Sequence, residues 1–331
     1  MLVLALFLMF SAAAEDRKAD AGRNRDRESA VHTADSLFVM FWNLENFFDW
    51  KDGGGGESDR DFTPEGVRHW TSSRFYVKCR NISKALLWIA SENGSLPDVV
   101  GLAEVENRNV LSELLNATAL RKTAFSLIHY DSPDHRGIDV ALLYRKDRFE
   151  RLSSRPISIP GQQTRDILAV RLRSRLSGEE YNFLVCHLPS KYGGAASIPK
   201  RFAAAARLRS AVDSLSAAGQ EKIIVMGDFN DVPSSAAFDT LRPVLQVWGP
   251  EFEGRGEGSI KYDGRWEMID LFWTSGQMKA EMEMSVVRLP FLMARDNVFS
   301  GEKPLRTYVG PHYTGGVSDH CPVLLKIVKI E

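Results

Sequence analysis

Polar, chemistry-bearing side chains recur in this sequence at one kind of place, the ends of short apolar runs. Leu37 to Trp42 leads into Asn43-Leu44-Glu45-Asn46, Val99 to Ala103 into Glu104, Phe183 to Cys186 into His187, and Ile223 to Gly227 into Asp228-Phe229-Asn230. Met268-Ile269 leads into Asp270, and Ser318-Asp319-His320 opens the last run. A buried strand has no packing reason to end in an acid, amide or imidazole. Singly, each has an ordinary explanation: Asp228 as an Asx turn, Ser318-Asp319 as a helix cap, His187 as a structural histidine. Recurrence on six segments favours convergence on one site. Carboxylates, amides and imidazoles gathered there would suit a hard divalent cation such as magnesium, which takes oxygen ligands and is completed by substrate phosphate.

The elements that must deliver these residues are legible as apolar runs and helical spacings. Thr71 or Ser72 can cap a helix in which Phe75, Cys79, Ile82, Leu86 and Ile89 share one face, and Asn93-Gly94 ends it. Asp98 to Val105 reads as a strand, Asn109 to Ala117 as a helix and Ile138 to Arg145 as a strand. Ile167 to Leu172 and Tyr181 to Leu188 form a hairpin through Ser177-Gly178. Lys200 to Leu215 is helical, with Ala205, Leu208, Val212 and Leu215 on one side. Lys222 to Gly227, Glu267 to Thr274 and Cys321 to Ile330 complete the strands, and 49–66 is a loop with a glycine tetrad. Many strands with few helices point to an α/β (α+β) sandwich around one core, occupying residues 36–331.

Composition narrows the partners. The chain has 331 residues, 44% of them apolar, with 42 basic against 43 acidic side chains, so no global positive field draws it onto a polyanion. Any affinity for nucleic acid must be local. Three cysteines, Cys79, Cys186 and Cys321, exclude a disulfide scaffold and show no zinc-ligand spacing. Residues 1–14 read as a signal peptide, an apolar run too short to span a bilayer followed by Ser11-Ala12-Ala13-Ala14; a buried N-terminal strand or helix is the alternative. Residues 15–35 are a charged linker without apolar periodicity. The expected location is therefore periplasmic or secreted, without a stable membrane anchor, and a monomer is expected.

Gly227-Asp228-Phe229-Asn230-Asp231 with Pro233, Ser318-Asp319-His320-Cys321-Pro322-Val323, Asp270, Asn43 and Glu104 in Gly101-Leu102-Ala103-Glu104-Val105 together resemble the endonuclease/exonuclease/phosphatase superfamily, the DNase I-like group. Phe62 to Gly66, Trp70 and Lys261 to Trp266 further resemble its secreted bacterial endonuclease-like members. The resemblance implies a four-layered α/β sandwich, two mostly antiparallel sheets flanked by helices. It implies a magnesium-dependent phosphodiesterase, with manganese or calcium as substitutes, acting by direct attack of water. Glu104, Asn43 and Asp319 would serve the metal, Asp228 and Asn230 the attacking water and a phosphate oxygen, and His320 the proton chemistry, with Asp270 fixing its tautomer. His187 would be a second phosphate-facing imidazole. The implied substrate is a phosphodiester, nucleic acid first, with phosphatase or sphingomyelinase-like activity on a small or lipid substrate as the alternative; a non-catalytic binding scaffold is a third.

Other residues leave two readings open. Asp139 could pair with His187 as a second dyad while Arg136 contacts a substrate phosphate, or Asp139 and Arg136 could pair with each other. Lys191, Lys200, Arg201, Arg207 and Arg209 could track a polyanion or form an ordinary solvated helix face. Asp49, Asp52, Glu57, Asp59 and Asp61 could bind calcium or simply be solvated. His312 and Tyr313 could line a cleft rim, and Trp266 and Tyr262 could stack on a base or simply pack. Cys186 and Cys321 adjoin two key histidines but alternate to the opposite strand face, as core residues.

Overall fold

Alternation along the first strand, β1 (Ser36–Phe47), sets the layering. Phe38, Met40 and Trp42 enter one apolar cluster, and Leu37, Val39 and Phe41 enter another on the opposite face. The computed structural model describes residues 36–329 except 54, 55, 192, 193, 277 and 279. The expected leader and charged linker lie outside the described residues. Among those described, no helix is long and apolar enough to cross a membrane.

Seventeen strands follow in chain order: β2 (Val99–Val105), β3 (Phe125–His129), β4 (Asp139–Arg145), β5 (Phe149–Ile157), β6 (Ile167–Ser174), β7 (Glu180–His187), β8 (Ile223–Asp228), β9 (Leu245–Trp248), β10 (Ile260–Tyr262), β11 (Arg265–Glu267), β12 (Asp270–Ser275), β13 (Ala280–Val286), β14 (Met293–Arg295), β15 (Glu302–Pro304), β16 (Tyr308–Val309), β17 (His312–Tyr313) and β18 (Val323–Lys329). They build two six-stranded sheets, ordered β13-β18-β1-β2-β4-β3 and β5-β6-β7-β8-β12-β9, plus three small hairpins. The inner faces share one core, where Phe41 and Val140 of the first sheet join Val185 and Met226 of the second. The helix α1 (Ser72–Asn93) and the short α2 (Arg108–Asn116) cover the outside of the first sheet, and α3 (Ile198–Ala217) packs on the second. A one-turn helix, α4 (Pro250–Arg255), lies in a connection.

Each sheet contains one parallel pair joined by a helical crossover, β1-α1-β2 and β7-α3-β8; the other pairings are antiparallel. Parallel partners finish at the same edge. The ends of β1 and β2 therefore deliver Asn43, Glu45 and Glu104 beside the His187 and Asp228 brought by β7 and β8. Antiparallel neighbours begin where these end, which places Asp270 opposite Asp228 at the start of β12 and His320 just before β18.

The helices form where the spacing predicts. Thr71 caps α1 through the Arg74 N–H, and Gly94 at φ +74° ends it in the left-handed conformation that glycine favours. Asn107 caps α2. Two differences are physical. The run from Glu267 to Thr274 is interrupted at Met268-Ile269, where the chain leaves the β10-β11 hairpin to enter the second sheet. The strands β3, β5 and β13, at sheet edges, lack a plain apolar signature: β5 exposes Glu150, Arg151, Ser153 and Arg155, and β13 exposes Glu281 and Glu283.

Candidate active site

Backbone strain marks the edge where the strands converge. Six non-glycine residues have positive φ among those described, and four are here: Glu45 (+48°), Asn46 (+53°), Glu104 (+58°) and Asn230 (+52°). Asparagine tolerates this region, whereas each glutamate costs on the order of 1–3 kcal/mol. At Glu104 the pairing register slips between Ala103 and Val105, a bulge that re-aims the carboxylate. Glycine serves the same edge at Gly227, where a Cβ would lie 2.2 Å from the Cys186 carbonyl oxygen.

The centre is one carboxylate oxygen. Asp228, 1% exposed, presents Oδ2 to the Asn43 amide at 3.0 Å, His187 Nε2 at 3.5 Å and His320 Nε2 at 3.8 Å. Its Oδ1 accepts the Asn230 N–H at 2.9 Å. His320 Nδ1 lies 2.7 Å from Asp270 Oδ2, which sets Nε2 toward the open side. Asp228 and Asp270 are cross-strand neighbours, a like-charge pairing that the imidazole relieves. Three further bonds hold His320: its carbonyl accepts the Trp42 indole N–H, its N–H meets Ser318 Oγ, and that hydroxyl donates to the Asn43 carbonyl.

Electrostatics divides the two imidazoles. Burial opposes charge on both. At His320 the Asp270, Asp228 and Asp319 carboxylates overcome it and hold the pKa well above the ordinary value. At His187 the Arg165, Arg136 and His320 charges reinforce burial, so the pKa falls well below it. Burial raises Asp228 to about 7, against the charge of His320. A carboxylate near neutrality beside one cationic and one neutral imidazole suits general acid–base work on water.

A second group adjoins the first. Glu104 accepts the Asn46 N–H at 2.7 Å and lies 3.6 Å from Arg136, whose Nη2 donates to Asn46 Oδ1 at 2.8 Å. Glu45 accepts from Arg306 and from the Thr307 N–H, and Arg306 also reaches Asp319 at 3.2 Å. Burial and the Asp319 charge push Glu45 up to about 7. Glu45, Glu104 and Asp319 carry oxygen donors of the kind a hard divalent cation takes, although their ligand atoms are not gathered within coordinating distance of one another. Asn43 Oδ1 accepts the Glu45 N–H while its Nδ2 holds Asp228. The groups gathered within that distance among the described residues are Asp228, Asp270 and His320, where Asp270 occupies the imidazole's Nδ1, and His129, Asp131 and Asp139.

The structure thus brings together Asn43, Glu104, Arg136, His187, Asp228, Asn230, Asp270, Asp319 and His320. It does not bring Asp139 to His187. Asp139 pairs with His129 Nε2 at 3.2 Å and accepts the Ser132 N–H at 3.0 Å, while His187 Nδ1 has no hydrogen-bond partner. Asp139 begins β4 beside β3 in the first sheet, whereas His187 ends a strand of the second. Nor does Arg136 pair with Asp139; it faces Glu104. Four of the five basic residues after His187 have partners, Lys191 and Arg201 on Asp231, Arg209 on Asp213 and Arg207 on the Ser158 carbonyl, while Lys200 is exposed. In the 49–61 loop, Asp59 is buried and accepts the Gly53 N–H, while Asp52, Glu57 and Asp61 are exposed. All three cysteines are buried and free, so Cys186 and Cys321 are core residues. Tyr313 packs on Trp70 and Tyr308, and Trp266 carries the Arg288 guanidinium.

Four residues of the site were not singled out by sequence reasoning: Glu45, Lys78, Arg165 and Arg306. Lys78 carried a signal, a lysine three residues after Phe75 and four before Ile82 on an apolar helix face. Glu45 lay within a strand-end motif. Arg165 and Arg306 lie in irregular segments without periodicity.

Two helix-flanked six-stranded sheets meeting at an acidic, histidine-bearing edge define the DNase I-like class of phosphoester hydrolases. The chain belongs to the endonuclease/exonuclease/phosphatase family, whose sequence model matches residues 38–329. Members of this family are phosphoesterases dependent on a divalent metal. Solved structures share the fold. An endonuclease/exonuclease/phosphatase family protein of Bacteroides thetaiotaomicron is 16% identical, with TM-score 0.57, over 89% of this chain and 98% of that one. A mannosyl-6-phosphatase of the same organism is 15% identical, with TM-score 0.56, over 88% and 99%. D. rerio TDP2 complexed with a single-strand DNA product is 15% identical, with TM-score 0.53, over 88% and 98%. A search of curated proteins found no match.

Proposed function

We propose that the protein is a magnesium-dependent phosphodiesterase, an endonuclease acting in the periplasm or outside the cell as a monomer. The observation that carries the hydrolytic reading is the sharing of Asp228 Oδ2 among Asn43, His187 and His320, with Asp270 behind His320. The nuclease reading draws support from the fold shared with TDP2, which is known bound to a DNA product. The location rests on the leader sequence.

A phosphodiester anion resists attack by water at phosphorus, so its hydrolysis needs charge neutralisation, an oriented nucleophile and a stabilised leaving oxygen. Asp228, held by Asn43 and the Asn230 N–H, accepts the proton of water aligned against phosphorus. Charged His320, fixed by Asp270, faces the phosphoryl group and donates toward the developing charge. Neutral His187 bonds a non-bridging oxygen, and Arg136 supplies a guanidinium beside it. Glu104 and Asp319, with Glu45, would hold the divalent cation, which as a Lewis acid supplies charge stabilisation to phosphoryl oxygen.

The runner-up, a phosphatase or lipid phosphodiesterase, is favoured by a cleft of about 370 Å³ whose lining includes Glu45, Asp319, Arg306, Tyr262 and Tyr308. That volume suits a compact group rather than a duplex. One panel decides. Plasmid nicking in magnesium, abolished by chelator and in His320→Ala, is expected. Phosphate or choline phosphate release without nicking would replace the nuclease reading by the runner-up.

A further inference from the structure

Lys78 is the most deeply buried cation near the site, 1% exposed and on the inner face of α1. A lysine used only to fill space would be replaceable by methionine without the cost of burying an ammonium. Its Nζ donates to the Glu45 carbonyl oxygen at 2.5 Å and to Thr307 Oγ1 at 2.9 Å. Burial lowers its pKa to about 8, against the opposing pull of Glu45, Glu104 and Asp319.

The Glu45 carbonyl belongs to the peptide that links Glu45 to Asn46. The other end of that peptide is the Asn46 N–H, which donates to Glu104 Oε2 at 2.7 Å. Both residues are in the left-handed region, a bend that unconstrained chain would leave. The Asn46 side chain, on the same bend, receives Arg136. We propose that Lys78 is a positioning residue: its ammonium grips one end of the 45–46 peptide so that the other end holds Glu104, and with it Arg136, at the reacting edge. Thr307 anchors the ammonium from the far side, and the Thr307 N–H in turn holds the Glu45 carboxylate.

Cation affinity does not read this clamp cleanly. Deleting the ammonium loosens Glu104 but also removes a Coulomb repulsion toward any cation held there, and the two effects oppose. The Asn46 amide reads it directly. In the full-length wild-type chain, hydrogen exchange followed residue by residue by NMR should show Asn46 protected like the interior of β1. In Lys78→Met and Lys78→Gln its exchange should accelerate about tenfold or more, with Met40 unchanged. Ile82→Val, a core trim on the same helix face, should leave Asn46 as in wild type. On bis-p-nitrophenyl phosphate, both Lys78 variants should lose kcat by about tenfold or more with KM within threefold, the pattern of lost transition-state positioning. This second readout rests on the phosphodiesterase reading; wild-type inactivity would fail that reading and leave the amide test standing. An unprotected Asn46 in wild type, or protection within threefold of wild type in either folded variant, overturns the proposal. Failure of both variants to fold would assign Lys78 to folding and overturn it equally.

Discussion

Asp270 carries a charge duty as well as an orienting one. It is the first of the carboxylates that keep His320 protonated, so Asp270→Asn should move the alkaline limb of the kcat profile to lower pH and cost about 10²–10⁴ in rate. On the proposed mechanism the acidic limb belongs to Asp228. Because burial raises its pKa to about 7, raising pH through that value ionises the base and raises the rate; a bound cation favours the carboxylate and places this limb at or below 7. A rate that falls at no pH below 7 would remove Asp228 as the base. The sequence disclosed Asp228, Asp270 and His320 because each sits where a core strand should have stopped being polar. It could not disclose that Glu45 meets Arg306, since 261 positions separate them and the arginine lies in irregular chain. Asp139 shows the opposite failure: proximity in motif order suggested His187, but sheet membership gave it to His129.

Two glycines, one in a central strand of each sheet, separate rigid from yielding constraints. A Cβ at Gly227 would meet the Cys186 carbonyl at 2.2 Å, whereas one at Gly101 would meet the Met226 sulfur at 2.8 Å, on a flexible side chain. Urea unfolding should therefore find Gly227→Ala more than about 3 kcal/mol destabilised and Gly101→Ala about 1 kcal/mol. Equal losses would mean that the β7-β8 backbone can yield. The glycine was visible in the motif, but its reason was not, because the obstacle comes from β7, some forty residues earlier. Element existence was similarly legible for central strands such as β1 and β8, whose apolar runs are unbroken. Edge strands β5 and β13 escaped because their exposed faces alternate with charge, and alternation over so short a run is easily read as loop.

At the scale of the molecule, the charge balance bears on substrate capture. With formal net charge −1 and four of the five basic residues after His187 tied to acids or a carbonyl, few cations are available to displace counterions from a polyanion. A plot of log KM for plasmid against log salt should have a slope below about 3, at roughly 0.9 per phosphate engaged. A slope of about 6 would reveal an extended track along the backbone. Length and composition had already excluded a global field; what they could not show was that most of the local candidates are internally paired, which only the tertiary arrangement decides.

Asp228 Oδ2 is held from one sheet by Asn43 and from the other by His187, and Trp42 reaches His320 across 278 positions of sequence. The catalytic constellation is thus a seam, complete only when two sheets have docked in one register. Such contacts between distant segments form late, because their loop closure comes before any reward. Regained activity after dilution from denaturant should then lag behind far-UV ellipticity and coincide with burial of the tryptophans. The site would serve as the chain's own report that its two halves have met.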